Sequence, residues 1–169
     1  MNLRRAVWAA VFFALAVAAA QPLWLELTSF RVLQVTNAAG EHLEVFERAA
    51  TAAPGETLEW RLAATNRSDQ ALEDVVLMIP VPPGTRYLAG SAQPLDLGDG
   101  VEVRPEFSFD GGTQFARPPL YKKVVVVTDG VEQEREVEVK PEAYTHVRWV
   151  LPVLNAGQTV TVRLRTVVR

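Results

Sequence analysis

The chain of 169 residues contains no cysteine. That excludes disulfide staples, a thiol nucleophile, thiolate metal ligands and the modified cysteine of a lipoprotein anchor. Histidine is almost as scarce: His42 and His146 are the only two. They stand far apart in sequence, whereas a zinc site needs three or four ligands. Ser29, Ser68, Ser91 and Ser108 are the only serines, and none occupies a Gly-x-Ser-x-Gly elbow. Bases are in the minority, 17 against 20 acids, so the cationic patch that a phosphate backbone requires is not expected. Together these absences point away from an enzyme, a metal or other cofactor, and a nucleic-acid partner.

Long apolar runs are also missing, with one exception. Ala6 to Ala20 is unbroken, follows Arg4 and Arg5, and ends in Ala18-Ala19-Ala20 before Gln21-Pro22. A positive start, an apolar middle and a small-x-small end are the layout of a cleaved secretory signal. The run is short for a membrane span, which needs about 20 residues, although Leu23, Trp24, Leu25 and Leu27 carry the apolar character onward. The expectation is a signal helix over 1–20, cleavage near Ala20-Gln21, and a secreted, periplasmic or cell-envelope domain over 21–169. A membrane contact follows only if the segment is retained as an anchor. Without Arg4 and Arg5, seventeen bases become fifteen against twenty acids, a mildly acidic domain. A cysteine-free exported domain fits a bacterium better than a disulfide-rich eukaryotic secretory route.

Helical periodicity is nearly absent after residue 20, and what replaces it is alternation. Leu58, Trp60, Leu62 and Ala64 alternate with Glu59, Arg61, Ala63 and Thr65, the period-two signature of a half-buried strand. Val160, Val162 and Leu164 alternate with Thr161, Arg163 and Arg165, and Val147, Trp149 and Leu151 with His146, Arg148 and Val150. Trp60 and Trp149 are thereby expected in the core, on facing sheets. Residues 41–53 are open between a helical turn and a strand. Asn66–Gln70 reads as a loop into the strand Glu73–Ile79, which Pro80 and Pro82-Pro83-Gly84 terminate for want of backbone donors. Asp129-Gly130 suits a two-residue turn, so Tyr121–Thr128 and Val131–Val139 are expected to form a hairpin. Short strands, Gly/Pro/Asn turns and no helices imply an all-β antiparallel sandwich of about 7–9 strands, with a long loop over 92–119 and an extra hairpin.

The order of these pieces resembles a known repeat. Pro54-Gly55-Glu56-Thr57, the alternating strand, Thr65-Asn66, the apolar strand, Pro83-Gly84-Thr85 and Gly90-Ser91 are similar to the first half of a bacterial surface repeat, the family called domain of unknown function eleven. Val147-Arg148-Trp149, Leu154, Ala156-Gly157-Gln158-Thr159 and the last strand match its second half. The resemblance spans about 50–169 and implies an Ig-like sandwich in a cell envelope, with no activity attached. The family's aspartate before Leu-Pro is absent, and the chain carries one copy rather than a tandem array.

What exceeds the simple repeat is the loop 92–119 and the hairpin. Partner contacts with an envelope or surface protein are expected there, through Tyr121, Lys122, Lys123, Val125, Val127, Glu132, Glu134 and Glu136. Val124 to Val127 put apolar side chains on both faces of the hairpin, so one face is expected to meet the core. The other then needs cover from the long loop or from another chain. Glu132, Glu134, Glu136 and Glu138 share a face, balanced by Lys122, Lys123 and Arg135. The alternative function is a carbohydrate- or calcium-binding module built on loop 92–119, with Asp96, Asp99 and Asp110 as the calcium candidates. Asn66-Arg67-Ser68 is a glycosylation sequon, but Asn66 is expected to bond the backbone of its own turn.

Overall fold

The computed structural model describes residues 22–98, 100–128 and 131–169. The signal helix over 1–20, the Asp129-Gly130 turn and Asp99 lie outside the described residues. The described residues are nearly all β, with one 3₁₀ turn among them at Pro141–Ala143. In chain order the strands are β1 Leu23–Thr36, β2 His42–Arg48, β3 Thr57–Asn66, β4 Leu72–Pro80, β5 Thr85–Tyr87 and β6 Leu95–Asp96. Then follow β7 Glu102–Val103, β8 Glu106–Ser108, β9 Tyr121–Thr128, β10 Val131–Glu138, β11 His146–Leu154 and β12 Thr159–Val168. A five-stranded sheet runs β2-β1-β3-β12-β5 and a three-stranded sheet runs β4-β11-β8. Every pairing is antiparallel, and the two sheets pack as a sandwich.

Alternation builds the core. On β4, Val75, Leu77 and Ile79 are buried while Val76 and Met78 stay about half exposed. Leu77 lies opposite Trp149 and Ile79 opposite Val147 in the register with β11. From the other sheet, Leu62, Ala64, Val162 and Leu164 meet them. Burying each Val, Leu or Ile side chain contributes about 1.5–3 kcal/mol, so this interdigitation holds a chain that has no covalent staple. Pro80 is the last residue of β4, where its missing donor costs little, and Val81 resumes bonding to Thr145 at 2.8 Å. At Gly84, φ is +80°, a conformation that glycine alone adopts without strain.

Asn66 ties the sheets together. Its amide donates to Gln70 O at 2.7 Å and to Leu154 O at 2.9 Å, while its carbonyl oxygen accepts from Ser68 N and Oγ. The side chain is wholly buried, so the sequon is an Asx turn, as its residue types imply.

Two expectations need correction. Trp149 is fully buried, but Trp60 is only half-buried although it points inward. Its ring nitrogen donates to Thr166 Oγ1 at 3.0 Å. Glu59, placed by alternation on a solvated face, is 1% exposed. The β1–β2 hairpin carries Phe46 and Glu44 across that face, closing Glu59 beneath them. Upstream of the segment that resembles the repeat, β1 is a 14-residue strand lying between β2 and β3.

Candidate functional site

The β9–β10 hairpin is rooted in the core and then leaves it. Leu120 and Val139, at its base, are 5% and 4% exposed, and Val139 N donates to Leu120 O at 2.8 Å. Beyond that bond every residue of β10 is exposed. The expectation that one face would meet the core is therefore wrong. Loop 92–119, one of the two alternatives for cover, does not supply it, since Val125 and Val127 remain exposed. That loop is drawn into the sandwich instead, where Ala92, Val103 and Phe107 are buried and β8 pairs with β11. Proximity along the chain carried no information about which apolar surface the loop would choose.

Register sorts the expected contact residues. Tyr121 pairs with Glu138, Lys123 with Glu136, Val125 with Glu134 and Val127 with Glu132, and residues directly opposite share a face. Seven of the eight expected residues thus form one surface, with apolar and aromatic groups along β9 and carboxylates along β10. Lys122 sits on the reverse face with Val137, Val124, Arg135 and Val126. Of the three bases expected to balance the acids, only Lys123 shares their face, and its contact to Glu134 is 3.4 Å with both groups about two-thirds exposed. A pair so exposed contributes little, so the surface stays acidic. Val125 and Val127 are 61% and 64% exposed. Glu138 completes the acidic row and was not among the expected contacts.

Loop 92–119 frames a second feature. A cleft of about 570 Å³ opens between Ala92, Pro94, Pro105 and Pro118, with Arg104 and Arg117 at its side. Tyr87, Phe107 and Tyr144 form its floor, their ring centroids 5.0 to 5.8 Å apart. Tyr87 Oη accepts from Ala92 N at 3.1 Å. Burial pushes both tyrosine hydroxyls above their ordinary range, and the nearby Glu138 adds to this at Tyr144. Tyr87 and Tyr144 carried no periodic signal, because β5 is three residues long and the 3₁₀ turn no longer.

Of the calcium candidates, Asp96 and Asp110 are engaged in turns. Asp110 Oδ1 accepts from Gln114 N, Ser108 Oγ and Thr113 N. The Gln114 N–H first, then the Ser108 hydroxyl, hold that carboxyl below its usual value. Asp96 Oδ1 accepts from Gly98 N at 2.8 Å. The same corner brings Ser108, Asp110 and His146 together. Ser108 is fully buried with its hydroxyl engaged by Asp110 and Gly112 N, and His146 Nδ1 contacts Thr145 Oγ1 at 3.1 Å. The arrangement caps a turn. His42 lies elsewhere, bonded to Thr36 Oγ1.

On the outer face of the larger sheet, Arg165 donates to both oxygens of Glu44 and to Glu59 Oε2, while Arg61 holds Glu59 Oε1. The guanidinium of Arg61 also lies 4.6 Å from the ring centroids of Phe30 and Phe46. This network binds the β1–β2 hairpin to the sheet. Comparison of the chain with protein-family models, with curated proteins and with solved structures finds no match in any of the three.

Proposed function

We propose that this chain is a non-enzymatic, Ig-like module of a bacterial cell envelope that works by protein–protein contact, with the β9–β10 hairpin as its contact arm. The observation that carries the reading is the exposure of a hairpin whose root alone is buried. An isolated two-stranded ribbon with exposed valines is marginally stable in water and gains by docking. The single-sign carboxylate row favours a basic partner surface and speeds encounter with it. It also discourages pairing of the ribbon with further copies of itself. Export through residues 1–20 and the resemblance to envelope repeats supply the compartment. The partner is then an envelope or surface protein, and a membrane contact arises only if that segment is kept.

The test replaces Lys122–Val137 by a short Asn-Gly turn and compares affinity capture from envelope extracts with that of the intact chain. The reading requires a protein retained by the intact chain and lost with the arm, at unchanged thermal stability. Equal capture by both chains contradicts it.

A second reading, carbohydrate binding at loop 92–119, is favoured by the aromatic-floored cleft. Sugars stack on exposed ring faces, however, and Tyr87, Phe107 and Tyr144 are only 2–6% exposed. Calorimetric titration with soluble envelope glycans tests it: heat that disappears in Tyr144→Ala supports the cleft, and its persistence removes it.

A further inference from the structure

β1 changes partners along its length. On one edge it pairs with β3 from Leu23 to Arg31. On the other edge it pairs with β2 only from Phe30 to Thr36, with one more bond from Ala49 N to Ser29 O. Among the described residues, Leu23–Thr28 therefore has no strand on that second edge. Which backbone groups face outward follows from the ladder. Arg67 N donates to Pro22 O, so in this register the groups turned toward β3 belong to Trp24, Glu26 and Thr28. Those of Leu23, Leu25 and Leu27 point to the open edge, and the Ser29–Ala49 bond fits the same phase. Trp24, Leu25 and Leu27 are each about half exposed. Most exposed edges are blunted by proline, charge or shortness; here only Glu26 intervenes, and it points to a face.

We infer that this open edge is occupied by the same strand of a second copy, related by a two-fold axis that passes beside Leu25. In an antiparallel arrangement with Leu25 opposite Leu25 of the second copy, Leu23 of each chain faces Leu27 of the other. Every outward N–H and C=O of Leu23, Leu25 and Leu27 is then paired. The leucines of both chains share one face, and the two larger sheets become continuous. On the other face Trp24 lies opposite Glu26 of the second copy. Trp24 already carries the Arg67 guanidinium 3.9 Å from its ring centroid. Neither Arg67 nor Glu26 has an ion partner among the described residues. The pairing brings these two charges together twice, once at each end. Sliding the register by one step either sets Glu26 against its own copy, a like-charge contact, or leaves outward groups unpaired. A self-complementary patch on a two-fold axis is the commonest form of homodimer. The hairpin edge offers no such match, because β10 presents a row of glutamates.

The absence of native cysteine makes the register testable in the full chain, held in mild detergent so that residues 6–20 do not drive association. Single-cysteine variants are treated with a short bismaleimide. Leu25→Cys is expected to give a covalent dimer and Leu27→Cys alone none, while a mixture of Leu23→Cys and Leu27→Cys chains gives a mixed dimer. Leu25→Pro removes only an outward N–H, so it is expected to abolish the dimer and leave the thermal midpoint of the fold. Glu26→Lys is expected to weaken dimerisation about tenfold, the effect of losing two exposed ion pairs, and Glu26→Lys with Arg67→Glu to restore it. Equal cross-linking at positions 25 and 27, or none at 25, overturns the inference. So does a dimer of undiminished affinity in Leu25→Pro.

Discussion

Arg165 stands between Glu44 and Glu59 and bonds both, at 2.7–2.9 Å to the first and 2.8 Å to the second. Glu59 is 1% exposed and keeps Arg61 on its other oxygen. A buried carboxylate shared by two half-buried arginines is costly to disrupt, because its removal leaves cations facing each other under the Phe46 ring. Glu59→Gln is expected to lower the unfolding free energy by about 2–3 kcal/mol in urea denaturation. A loss below about 0.5 kcal/mol, the range of an exposed pair, would show that the β1–β2 hairpin does not close over this face.

The same contact fixes a pH dependence. The hydrogen bonds from Arg165 lower the Glu44 carboxyl from its ordinary value near 4.5. The folded state therefore prefers the charged form. Its contribution is complete above the unfolded value and is lost as pH falls through the lower folded one. Stability should decline with acid below about pH 4.5, and Glu44→Gln should flatten that limb while changing little at neutral pH. Chemical denaturation at a series of pH values checks this; an acid limb identical in both proteins contradicts it.

The two core tryptophans are not equivalent. Trp149 is fully buried and its ring nitrogen donates to Gln93 O at 3.0 Å. Trp149→Ala is expected to cost about 3–5 kcal/mol. Trp60→Ala, at a half-buried position, should cost at most about half of that. Thermal unfolding of the two variants gives the order directly, and the reverse order would contradict the half-burial of Trp60.

Asn66 offers a sharper chemical test, since its amide serves two carbonyls, one in the loop before β4 and one at the end of β11. Asn66→Asp puts a carboxylate against Gln70 O and Leu154 O. It is expected to be more destabilising than Asn66→Ala, by at least about 1 kcal/mol, because a buried acceptor facing acceptors is worse than an unfilled space. Equal losses for the two would mean that water, not Asn66, satisfies those carbonyls.

Much of this fold is legible wherever a strand is buried on one side only. β11 and β12 alternate in sequence and in burial alike, β4 alternates in burial although Val75–Ile79 is apolar throughout, and the β9–β10 hairpin starts at the residues its turn chemistry implies. Reading fails where a surface is covered from both sides or from neither. Glu59 and Arg61 look like a solvated row until Phe46 is laid over them. β1 follows an apolar segment and itself reads as its extension, so Leu23–Leu27 gave no sign of a strand beside β3. Which hairpin residues share a face was largely readable, because strand alternation and the register of two paired strands fix it together. The hairpin's separation from the core was not, since burial depends on which elements compete for the same apolar surface. The cleft above Tyr87 and Tyr144 was invisible because short irregular segments meet there.

The proposed binding face is the side of β9–β10 that bears Val125, Val127 and the glutamate row. Photo-activatable residues placed singly at Val125 and at Val76, in cells that make the chain, compare the arm with the outer face of β4, where Val76 is also about half exposed. The account expects a discrete adduct with a second protein from position 125 that disappears when Glu132, Glu134 and Glu136 are changed to lysine, and none from position 76. An adduct from position 76 with none from 125 would contradict it, as would a hairpin adduct indifferent to the charge reversal.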